Sequence, residues 1–72
     1  MLDERRIAPE WIATALAAPA WTEPDPGDPD LLHRVVRIAA FGDRVLRVVA
    51  TRSHPPRVVT AFFDRSLRNH PI

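Results

Sequence analysis

Between Arg34 and Ala50 the chain writes one phrase twice: RVVRIAA, then FGD, then RVLRVVA. β-Branched residues dominate both halves, and a helix over this stretch would be apolar nearly all round. The doubled phrase therefore reads as two strands joined by a hairpin. Glycine and aspartate at the join supply the turn chemistry. Strands are expected at Leu31–Ala40, Arg44–Thr51 and Arg57–Phe63, with RSHPP connecting the second to the third. Connections this short make antiparallel neighbours.

In a strand, residues three apart point to opposite sides, so each half of the phrase sends one arginine up and one down. The register of the hairpin then decides the chemistry of each face. A two-residue turn sets Ile38 against Arg47 and Arg37 against Val48, which puts an arginine near the middle of each side and buries one of them under the helices. A three-residue loop sets Ile38 against Leu46 and Val36 against Val48, giving one apolar side. The other side then holds Arg37 opposite Arg47, among Val35, Val49, His33 and Thr51. An unpaired buried charge is costly, so the second register is expected. On the third strand, Val59, Ala61 and Phe63 are expected inward, and Val58, Thr60 and Phe62 outward. Arg34 and Arg44 are expected at strand ends, their heads in water.

Ahead of the strands, residues 1–6 suit a short helical stub and Ile7–Ala8 a joint. Pro9 suits the first turn of a helix and Glu10 its positive end. Trp11, Ile12, Ala15 and Leu16 form one apolar stripe, and Pro19 stops the helix near Ala18. Residues 19–30 are expected to be a proline-rich acidic loop throughout. Asp25, Asp28 and Asp30 lack the ordered series of a calcium loop. The fold class is thus α+β: one or two N-terminal helices on one face of a three-stranded antiparallel meander. One domain spans residues 1–72, with residues 1–18 helical, 31–63 the sheet and 64–72 a tail.

Charge divides unevenly along the chain. Residues 21–30 hold four acids and no base, whereas residues 31–72 hold eight arginines against Asp43 and Asp64. All ten basic residues are arginine, a pattern that GC-rich codon use also produces. Arginine presents a planar fork suited to phosphate and carboxylate. Like charges opposite one another on paired strands are unfavourable, and an anion between Arg37 and Arg47 would remove the penalty. Thr60 would add a hydrogen bond and Phe62 a stacking surface. The alternative is that both arginines are solvated, or paired with acids of residues 23–30 or with Asp64. The acidic loop folding over the basic face is a further expectation of the same kind.

The chain has no cysteine, so no disulfide or thiolate metal site forms. His33, His54 and His70 show no ligand spacing, and no metal or cofactor is expected. His54 and His70 are expected in solvent. No stretch is apolar for long enough to span a bilayer, and MLDERR is unlike a secretion signal. A cytoplasmic protein without a membrane partner is expected.

The phrases LDERRIAPEWI, WTEPDP, FGDRVLRVV and VVTAFFDR resemble a small bacterial family, domain of unknown function 4258. Its members look like RelE-type toxins of toxin–antitoxin systems, with helices on a curved antiparallel sheet. The resemblance implies RNA binding on the open sheet face, by an endoribonuclease or a relative that has lost activity. It implies an antitoxin-like protein as partner. In that chemistry the 2′-hydroxyl attacks the adjacent phosphate, which needs proton transfer and stabilisation of charge. His33 would transfer the proton, Arg37 and Arg47 would stabilise charge, and Arg65 would grip phosphate. Members carry a longer first helix with a histidine and an arginine upstream of the position of Met1. A shorter helix would leave apolar surface uncovered, which is expected to favour a homodimer or weak stability. The alternative function is a non-catalytic interaction module whose basic face or sheet edge takes an acidic partner.

Overall fold

The computed structural model describes residues 7–67, so the expected stub at residues 1–6, His70 and most of the tail lie outside the described residues. Helix α1 runs Pro9–Ala17. Pro9 opens it, Glu10 sits in its first turn, and the Ala18 N–H closes it on the Thr14 carbonyl at 2.7 Å. Four antiparallel strands follow: β1 Trp21–Pro24, β2 Leu31–Ile38, β3 Arg44–Thr51 and β4 Val58–Phe63, in sheet order β1-β2-β3-β4. The α+β class and the meander stand, but with four strands and one described helix.

The added strand is β1, inside the segment expected to be loop. Trp21 and Glu23 face Val35 and His33 in register. The prolines that argued against regular structure begin only at Pro24, the last residue of β1. Proline is tolerated there because β1 is an edge strand and its end has no ladder bond to lose.

The hairpin between β2 and β3 corrects the expected register. Ile38 faces Arg44 and Val36 faces Leu46, so Arg37 faces Val45 and Arg47 faces Val35. The connection is longer than FGD because Ala39–Phe41 form a turn of 3-10 helix, followed by Gly42 and Asp43 with φ of 65° and 56°. That turn brings the Phe41 ring against Trp11 at 5.3 Å and Phe63 at 4.9 Å. The shift is even, so each residue keeps its face: Arg37 and Arg47 share a side but are not opposed.

Strand β4 also departs from expectation. Thr60 faces Val49 while Val58 faces Ala50, with a register shift between them. Val59 is the extra residue of this bulge and is 53% exposed, whereas Val58 packs on the core. Ala61 and Phe63 point inward as expected.

The core lies between α1 and the inner side of the sheet, where Ile7, Ala15, Ile38, Leu46, Val48, Ala50 and Ala61 are buried. Arg34 belongs to this side too, in register with Val48, and is only 8% exposed. It does not reach water as expected. Its Nη2 donates to the Thr51 carbonyl at 3.3 Å, and Nη1 has no partner among the described residues. The cost that argued against burying Arg37 or Arg47 is thus met at Arg34. Arg34 lies mid-strand with the wrong parity for the outward face, which strand alternation alone dictates.

Candidate functional site: the outward face of the sheet

Alternation along β1 to β4 places Trp21, Glu23, His33, Val35, Arg37, Val45, Arg47, Val49, Thr60 and Phe62 on the side away from α1. At its centre a polar chain crosses all four strands. Arg47 donates from Nη1 to Glu23 on β1 and from Nε to Asp64 Oδ2, just beyond β4, at 3.0 Å. The same Nη1 lies 2.9 Å from His33 Nδ1 on β2. His33 Nε2 lies 2.6 Å from Asp25 Oδ1.

The proton positions in this chain follow from arginine, which only donates. His33 Nδ1 must accept, so Nε2 carries the hydrogen and donates to Asp25. Both ring nitrogens are engaged within the fold. Asp25 is itself held by the Gly27 N–H at 2.9 Å. The His33 hydrogen bond, with help from that N–H, holds the Asp25 carboxyl below its ordinary range. Asp64 is lowered as well, first by the Ser66 hydroxyl and then by Arg47, against the effect of burial. Burial opposes the charge on Arg47, but hydrogen bonds to Glu23 and Asp64 outweigh it and raise its pKa.

The expected residues therefore separate. His33 and Arg47 meet at the centre, with the Arg47 side chain only 12% exposed and matched by two carboxylates. Arg47 takes the paired course, with Glu23 from the acidic segment and Asp64 as partners. Arg37 donates from Nη1 to the Asp43 carbonyl at 2.6 Å, so it ties β2 to the hairpin turn. Thr60 is half-buried and Phe62 is 42% exposed on β4. Arg65 is exposed in the 3-10 turn Arg65–Leu67. His54 is exposed, as expected.

Arg44 stands at a strand end and is exposed, as expected, but its ring contact and its cleft were not foreseen. Arg44 begins β3 with its guanidinium carbon 4.9 Å above the Phe41 ring. With Val45, Phe63, Asp64 and Arg65 it lines a cleft of about 320 Å³. Its place at a strand end next to an aromatic turn residue was the available signal.

Among the described residues no group of three histidine, aspartate or glutamate side chains is placed to hold a metal ion. No helix among them is long and apolar enough to cross a membrane. The described residues form a small α+β domain: one helix on a four-stranded antiparallel meander, with a charged chain across the outward face. The family model for domain of unknown function DUF4258 matches residues 1–63, and the chain belongs to that family. No curated protein and no solved structure matches it.

Proposed function

We propose that the protein binds single-stranded RNA across the outward face of β4 and the turn that follows it. The observation that carries this reading is Phe62, an aromatic ring 42% exposed on that face and in register with Arg47. Single-stranded RNA is held by stacking bases on aromatic rings while cationic side chains track the phosphates. Thr60 lies two residues back along the same face, and Arg65 follows the strand. Arg37, on the same face, adds positive potential near the hairpin.

Arg47 plays a positioning part in this reading. Its charge is met by Glu23 and Asp64, and it anchors β1, β2 and β4 around β3. The RelE-like resemblance supports RNA as the ligand. Cleavage with His33 as proton carrier would require the ring to leave Asp25 or Arg47, so binding is proposed and cleavage is not.

The test is fluorescence anisotropy of a labelled single-stranded RNA. Phe62→Ala is expected to weaken binding by about ten-fold, within the range of one lost stacking contact. Arg65→Ala is expected to weaken it and to flatten its salt dependence by one phosphate contact. Binding that ignores Phe62→Ala would reject the reading. Absence of RNA binding, with binding of an acidic peptide instead, would favour the interaction module.

A further inference from the structure

The cleft at the open end of β3 and β4 has a chemistry of its own. Arg44 and Arg65 both line it, both are exposed, and neither makes an ion pair among the described residues. Arg44 is held by stacking on Phe41. Asp64, the acid in the cleft, is already occupied: Oδ2 accepts from Arg47, and Oδ1 accepts from the Ser66 N–H at 3.0 Å and from its hydroxyl. Both of its oxygens are therefore engaged within the protein. Val45 and Phe63 supply apolar walls. A volume of about 320 Å³ is at the small end of ligand-binding clefts.

We infer that this cleft binds a phosphate monoester carried on a nucleoside, gripped between Arg44 and Arg65 with the sugar or base against Phe63. Two arginine forks beside apolar walls match a doubly charged terminal phosphate better than the single charge of an internal phosphodiester. Such a group is found on a free mononucleotide and at the phosphorylated end of an RNA strand. The second source rests on the RNA-binding reading above; the first does not. Arg44 has no place in that reading, so it reports on the cleft alone.

The experiment compares four probes on the full chain: inorganic phosphate, adenosine 5′-monophosphate, and one RNA oligomer with a 5′-phosphate or a 5′-hydroxyl. The mononucleotide is expected to bind more tightly than inorganic phosphate. The phosphorylated oligomer is expected to bind about ten-fold more tightly than its hydroxyl twin, as a charge-assisted contact allows. Arg44→Ala is expected to abolish both preferences, and Arg44→Lys, which keeps the charge without the fork, to reduce them. Thermal unfolding of each variant identifies any loss that comes from misfolding, and the Lys variant carries the test if Arg44→Ala does not fold.

If the mononucleotide binds and neither oligomer does, the cleft stands and the RNA-binding reading fails. If both oligomers bind equally and the mononucleotide does not, the cleft is overturned while the Phe62 surface survives. Preferences unchanged in both Arg44 variants would also overturn it.

Discussion

Asp64 shows how single residues on the outward face are tied down. One carboxylate oxygen takes the Arg47 Nε–H and the other takes Ser66, so protonating it breaks contacts on both sides. Asp25 stands similarly between His33 and Gly27. Both carboxyls are lowered from 3.8 in the folded chain. A lowered folded pKa means that the unfolded chain binds the proton first. The stability these groups add is therefore fully present above the ordinary value and is lost as pH falls through the folded values. Urea midpoints measured from about pH 6 down to about pH 2 are expected to fall across that window. Asp64→Asn is expected to lower the midpoint at neutral pH and flatten the acid limb. An unchanged acid limb in the variant would show that Asp64 is not among the titrating groups.

At the scale of elements, the β2–β3 connection sets the alignment of the doubled phrase. Gly42 and Asp43 occupy left-handed backbone conformations in succession. Nothing lies within 4 Å of where a Cβ on Gly42 would stand, so a substitution there is opposed by the backbone alone. Gly42→Ala is expected to cost about 1 kcal/mol. Asp43→Asn, whose side chain tolerates that region, is expected to cost far less than Asp43→Val. Chemical denaturation of the three variants checks the order. Strand character and antiparallel pairing were legible in the doubled phrase, and the sharing of a face by Arg37 and Arg47 followed once the register that buries neither was chosen. The length of the turn was not legible. Ala39–Phe41 coil because the Phe41 ring gains contacts with Trp11 and Phe63, two residues far off in sequence. β1 was hidden for a related reason: four residues become a strand only once β2 offers an edge to pair with.

The whole molecule is a thin sandwich with one described helix on one side of its sheet. Trp11, Phe41 and Phe63 form an aromatic cluster joining α1, the hairpin and the end of β4, with the Trp11 and Phe63 rings 6.1 Å apart. A domain this small has about 5 kcal/mol of net stability to lose. Trp11→Ala is expected to remove about 3 kcal/mol of it. Circular dichroism is expected to show a greatly lowered unfolding temperature, while Trp11→Phe retains most of the fold. The same cluster shapes the cleft, since Phe63 lines it and Phe41 carries Arg44.

The amino-acid sequence by itself determined the α+β class, the start and stop of α1, the meander, and the alternation of sides along β2 and β3. These follow from local propensity and from a repeat of two, which neighbours cannot alter. Only the tertiary structure decided which charges meet. Glu23, Asp25, His33, Arg47 and Asp64 come from four strands and their flanks, and their pairing depends on how far each strand slides past the next. The burial of Arg34 and the opening between Arg44 and Arg65 were decided in the same way, because exposure belongs to the packed whole and is not a property of any one segment.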